Sequence, residues 1–183
     1  MARSQKVRVG GLSSEDIRKM LNKKSGSEVA FSLKEENPTD VKDWVSTGSR
    51  WLDSIICKGK HAGIPLGKIV EIAGLESTGK SYMAAQIAAN AQKKGLKVIY
   101  FDSESAIDSD FLEKTGVSLD DLIYVQAESV EFVLESIETI ISHEENVFFI
   151  WDSVANTPCI SDTEGDFNPQ SSMAVKARIL SKG

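Results

Sequence analysis

The 183 residues suit one domain with a short appendage, and a composition of 41% apolar and 26% charged residues excludes disordered or low-complexity architecture for the bulk of the chain. The longest apolar run, Val147–Trp151, falls far short of the ~18 residues of a membrane-spanning helix, and no apolar stretch follows Met1–Lys6 as a secretory signal requires. The net charge of −6 is uneven: residues 1–24 hold seven basic and two acidic side chains, so the rest carries −11, which argues against a body that coats duplex DNA by bulk charge.

Ser13 can cap a first helix, with Asp16 three residues on as in a capping box and Leu12 and Ile17 at the positions of a hydrophobic staple. Ile17, Met20 and Leu21 form an apolar stripe too short to be stable alone, which must dock on the chain's own core or on a neighbouring subunit. Residues 24–42 are rich in loop-forming types, and within them Val29–Leu33 reads as a short strand. Residues 1–45 are thus expected to be an arm of helix and strand, and residues 46–183 a core.

In that core Ser49 caps a helix with Leu52, Ile55 and Ile56 as its apolar positions, and 63–67 is a turn. Lys68–Ala73 reads as a strand leading into a glycine loop, and Ser81–Lys94 as an alanine-rich helix stopped by Gly95. Strand Lys97–Asp102, a short helix over 109–115 ended by Gly116, and strand Leu122–Gln126 follow. Ser129 caps a helix reaching His143, with Val130, Val133, Leu134, Ile137, Ile140 and Ile141 on its inner face. Val147–Asp152 is the most apolar strand. Strands apolar on both faces and separated by helices imply an α/β fold, a mainly parallel sheet flanked by helices. Cys57 and Cys159 stand apart, as reduced thiols of a cytoplasmic protein do, and His61 and His143 lack the clustered partners of a zinc site.

Gly74-Leu75-Glu76-Ser77-Thr78-Gly79-Lys80-Ser81 fits the phosphate-loop pattern G-x-x-x-x-G-K-[ST]. At average composition a chance match somewhere in a chain this long has a probability of about 0.7%. Glycines let consecutive backbone N–H groups approach phosphate oxygens, and the following helix aims its positive end at the same anion. Lys80 then reaches the β- and γ-phosphates, and the Ser81 hydroxyl ligates Mg²⁺. The nucleotide contacts expected on this run are Gly74, Glu76, Ser77, Thr78, Gly79, Lys80, Ser81 and the adjoining Tyr82. Asp152 ends a buried strand, where an ATPase holds Mg²⁺ through water or a hydroxyl. Glu104 follows another strand of the same sheet, on the side where parallel sheets bind ligands, and a carboxylate there can orient and deprotonate the attacking water.

With these segments in register, the chain resembles the RecA family of DNA-strand-exchange ATPases. The likeness rests on Ser46-Thr47-Gly48-Ser49, Leu52-Asp53, Gly63–Ile72 leading into the phosphate loop, Asp102–Asp108 and Asp152-Ser153-Val154-Ala155. The resemblance implies a RecA-type core that binds ATP and Mg²⁺, with Glu104 and Lys80 catalytic and Ser81 and Asp152 at the metal. It also implies adenine contacts at Asp108 and Phe111, where relatives commonly carry tyrosine in place of the phenylalanine. Glu164, Gly165, Asp166, Phe167 and Asn168 match the first DNA loop, and Met173, Lys176 and Arg178 the helix after it. The arm matches the segment through which the family polymerises. The implied activity is recombination and repair by a filament on single-stranded DNA that then pairs with duplex DNA. The family's core continues with a further strand between the phosphate-loop strand and the Asp152 strand, so an incomplete sheet is expected here. The alternatives are a RecA-fold ATPase with another role, a helicase or regulatory ATPase, and a non-hydrolysing nucleotide-dependent interaction module.

Overall fold

The computed structural model describes residues 11–34, 40–59, 63–105, 107–164 and 169–182. The chain divides into two units, residues 1–41 and 42–183.

The first unit holds α1 (Ser14–Ser25). Asp16 N–H donates to Ser13 Oγ at 3.1 Å and Ser13 N–H returns a bond to Asp16 Oδ2 at 3.2 Å, so the capping box forms as the sequence predicts. Gly26, with φ 72°, closes the other end. Ile17, Met20 and Leu21 are exposed. Val29–Leu33 does not form the expected strand. The Asn22 side chain accepts from Val29 N–H (3.0 Å) and Ala30 N–H (2.7 Å) and donates to Ala30 O (3.2 Å), which satisfies backbone groups that a partner strand would otherwise have to bond.

The second unit is built on a parallel sheet in the order β4-β3-β5, where β3 is Lys97–Asp102, β4 Leu122–Gln126 and β5 Val147–Asp152. All three match the strands expected from sequence. Val98 and Tyr100 of β3 face α3 (Lys80–Lys93) and α4 (Ser109–Thr115) across one core. Ala85, Ala88, Ala89 and Ala91 of α3 are buried in that core, and their small side chains allow close approach. Ile99 and Phe101 face the opposite core with Val133 of α5 (Val130–Ile141). The α/β architecture with helices on both faces is therefore present. Register pairs Asp102 with Asp152, so two carboxylates end neighbouring strands side by side.

Three local readings change. β1 (Trp44–Val45) pairs antiparallel with β2 (Ile64–Pro65), so the turn narrows to the residues after Pro65. Gly63, at φ 108°, is required at this crossing, because a Cβ there would lie 1.9 Å from Val45 O. In α2 (Arg50–Ile56) the buried residue is Asp53, while Ile55 and Ile56 are exposed. Asp53 accepts from Ser46 Oγ, Thr47 N–H and Thr47 Oγ1 at 2.6–2.8 Å, so a polar anchor, not an apolar stripe, docks this helix. α5 ends at Ile141, which is exposed, two residues short of the expected end.

The largest correction concerns Lys68–Ala73, which forms no strand and is exposed throughout, Ile69 fully so. Among the described residues the sheet ends at β5, and no strand lies beside 68–73 to take its N–H and C=O groups. The same open edge leaves β5, the most apolar strand, only half-buried apart from Ile150, whereas β3 between its two neighbours is buried from Val98 to Asp102. In residues 1–183 expressed alone, hydrogen exchange is expected to be fast at 69–73 and slow in β3, with self-association through the free β5 edge. A monomer with strongly protected amides at 69–73 would contradict this.

Helices α6 (Ile160–Glu164) and α7 (Pro169–Leu180) complete the unit. Among the described residues no helix is long and apolar enough to cross a membrane.

Candidate active site

The glycine loop that fits the phosphate-loop pattern runs from the exposed 68–73 segment into α3. Gly79, at φ 90°, is the N-cap, and no side chain caps the helix, so its first amides lack a side-chain acceptor and its positive end favours an anion. A Cβ at Gly74 would lie 3.0 Å from Thr78 Oγ1, so a larger residue there would press on the side chain that braces the loop. Thr78 Oγ1 donates to Leu75 O at 2.7 Å, and Lys80 Nζ donates to Gly74 O at 3.1 Å and Leu75 O at 2.8 Å. These bonds brace the loop and hold the ammonium against its backbone. Glu76 and Ser77 are exposed, Ser77 at φ 58°.

Ser81, Asp102, Glu104, Ile107, Asp108, Phe111 and Asp152 line one cleft of about 240 Å³. Five of the residues singled out in the sequence thus meet from the start of α3, the loop after β3, α4 with its cap, and the tip of β5. Asp108 caps α4 through Asp110 N–H at 3.1 Å. Phe111 packs its ring against Tyr82, centroids 6.2 Å apart and tilted 56°, which brings an expected adenine contact beside the nucleotide contact expected next to the glycine loop. Tyr82 is half exposed.

Asp102 is the buried carboxylate of the site. It accepts from the backbone N–H of Glu104 (2.9 Å), Ser105 (3.1 Å) and Ile107 (3.4 Å) and from Tyr124 OH (2.9 Å). The loop that carries Glu104 is therefore wrapped around one side chain. Glu104 itself is exposed, and its Oε1 accepts from the Asn156 side-chain amide. Ser103 Oγ and Ser153 exchange bonds at 3.0–3.1 Å, tying the loops after β3 and β5 together. Asp152 Oδ2 accepts from Tyr100 OH at 3.1 Å. Burial first, then the Asp152 charge, pushes the Tyr100 hydroxyl far above its ordinary pKa, so it stays a donor. Burial and Asp102 raise Tyr124 in the same way.

Among the described residues no group of three or more His, Cys, Asp or Glu is arranged to hold a metal by itself. One hydroxyl and one carboxylate in one cleft, Ser81 and Asp152, suit Mg²⁺, which keeps most of its waters and takes phosphate oxygens for the rest.

The expected DNA residues are less gathered. Gly165, Asp166, Phe167 and Asn168 lie outside the described residues, and Glu164 is described only as the end of α6. On α7, Met173 and Arg178 are exposed, while Lys176 Nζ donates to Ala155 O at 2.8 Å. That bond links α7 to the turn that also carries Asn156.

The family model of the RecA N-terminal domain matches residues 14–183. The chain belongs to the RecA family. Protein RecA of Wolbachia sp. subsp. Drosophila simulans (strain wRi) is 38% identical over 163 residues, 89% of this chain and 44% of the relative. Protein RecA of Anaplasma marginale (strain Florida) is 38% identical over 146 residues, 80% and 40% of the two chains. Protein RecA of Fusobacterium nucleatum subsp. nucleatum is 33% identical over 169 residues, 92% and 43%. The chain spans under half the length of these RecA relatives.

Four residues of this RecA-family site escaped the sequence reading: Asp102, Tyr124, Tyr100 and Asn156. For Asp102 a signal existed. An aspartate followed by Ser103-Glu104-Ser105 is a common turn former, because its carboxylate bonds the amide two residues on. The two tyrosines carry no such signal, since aromatic residues are common in strands, and Asn156 is joined to Glu104 only by the fold.

Proposed function

We propose that the full-length protein is an ATP-dependent recombinase that acts in the cytoplasm, forming filaments on single-stranded DNA that pair with duplex DNA. The observation that carries this reading is the single cleft that gathers Ser81, Glu104, Asp108, Phe111 and Asp152 beside a capless helix start. Family membership supplies the recombination context.

In this reading the loop amides and Lys80 bind the phosphates of ATP, and Asp108, Phe111 and Tyr82 form the base side. Ser81 and Asp152 would hold Mg²⁺, which when bound would neutralise the charge that develops on the phosphoryl oxygens. Glu104 takes a proton from water as the water oxygen bonds to the γ-phosphorus. The bond to the β-phosphate oxygen breaks, and ADP and phosphate leave. Asn156 keeps the Glu104 carboxylate aimed. Most of the rate gain then comes from positioning and fixed charge. Self-association is assigned to the α1 arm, whose exposed Ile17, Met20 and Leu21 support it. DNA contacts are assigned to 164–168 with Met173, Lys176 and Arg178.

ATP hydrolysis by the full-length protein is expected to rise on adding single-stranded DNA, and the stimulation to weaken steeply with salt as phosphate contacts are screened. Stimulation without strand exchange would favour a helicase or regulatory ATPase. Nucleotide binding with no turnover would leave an interaction module.

A further inference from the structure

We propose that Tyr100 is a positioning residue for Asp152, fixing the carboxylate so that one oxygen is tied inside the protein and the other is left for the cation. This inference rests on the nucleotide–Mg²⁺ reading of the cleft. Tyr100 is fully buried in the middle of β3, the most buried strand of the sheet. Its backbone pairs with Ile150, two residues before Asp152, so the ring must run along the sheet for its hydroxyl to reach Asp152 Oδ2 at 3.1 Å. The ring packs in the apolar core with α3, while its polar tip meets the edge of the cleft that Asp152 lines. A buried hydroxyl at the end of an apolar strand face needs a partner, and the structure gives it this carboxylate.

The geometry has a direct consequence for Mg²⁺. The ion demands near-ideal octahedral coordination, so the direction in which a carboxylate presents its lone pairs matters as much as its charge. Asp152 sits at the tip of a strand with one unpaired edge among the described residues, where the sheet itself holds it less firmly than it holds Asp102. A rigid aromatic lever from the centre of the sheet supplies the missing constraint. Partners one layer behind a metal ligand commonly change metal affinity by about 10–100-fold.

The test uses the full-length protein and a non-hydrolysable ATP analogue, titrated calorimetrically in EDTA and again across a range of Mg²⁺. In the parent, Mg²⁺ is expected to strengthen binding. Tyr100→Phe is expected to raise the half-saturating Mg²⁺ about tenfold and to leave affinity in EDTA unchanged. The variant keeps the ring that fills the core, and a thermal melt checks that it does. In an Asp152→Asn background the same substitution is expected to add nothing, because the hydroxyl acts through the carboxylate. An unchanged half-saturating Mg²⁺ in Tyr100→Phe overturns the proposal, as does an equal loss with and without Mg²⁺ or an undiminished effect in Asp152→Asn. A parent that binds the analogue with no Mg²⁺ dependence overturns the underlying reading of the site instead.

Discussion

Lys80→Ala in the full-length protein is expected to abolish productive ATP binding. The Lys80 ammonium bonds the carbonyls of Gly74 and Leu75, and it is the cation placed on the phosphate loop itself. In the proposed ATP complex it exchanges those carbonyls for phosphate oxygens. Each hydrogen bond to a charged group is worth ~1.5–3 kcal/mol, so two of them amount to ~3–6 kcal/mol, or about 10²–10⁴-fold in affinity. The capless start of α3 survives the substitution, so weak diphosphate binding persists through backbone amides and helix dipole. The fold also survives, since the buried face of α3 begins at Ala85. Calorimetry with ATP and a thermal melt check both halves. Equal ATP affinity in variant and parent would remove Lys80 from the site.

Glu104→Gln is expected to bind ATP as the parent does and to hydrolyse it about 10²–10⁴-fold more slowly, ~3–5 kcal/mol of barrier. The substitution is informative because the surroundings tolerate it. The glutamine carbonyl can still accept from Asn156, and the loop is held by Asp102 through the backbone amides of Glu104, Ser105 and Ile107, none of which changes. What is lost is the ability to take a proton from water. Steady-state turnover with single-stranded DNA, read beside analogue affinity, separates the two effects. Turnover within threefold of the parent would make Glu104 structural and require another base.

The phosphate-loop pattern is legible in the sequence because its spacing is local. Glycines at 74 and 79, a lysine and a hydroxyl at fixed spacing, and a following helix are all set by neighbours along the chain. The α1 capping box, the Ser49 and Ser129 caps, and strands β3, β4 and β5 were legible for the same reason, as caps and periodicity act within a few residues. Only the tertiary structure decided the rest. Lys68–Ala73 has strand composition, yet strand formation needs a partner for every N–H and C=O, and no strand lies beside it among the described residues. Val29–Leu33 failed as a strand because one side chain, Asn22, took its backbone bonds from seven and eight residues away. Asp53, not Ile55 or Ile56, docks α2, because a buried carboxylate with three donors holds the helix more specifically than an apolar stripe left exposed among the described residues. In the site, sequence placed Asp152 and Glu104 at strand ends by type alone. That Tyr100 holds one and Asn156 the other follows from side chains 52 residues apart, which only the packing of β3 against β5 brings into contact, whereas Asp102 holds the Glu104 loop locally, through amides two to five residues on.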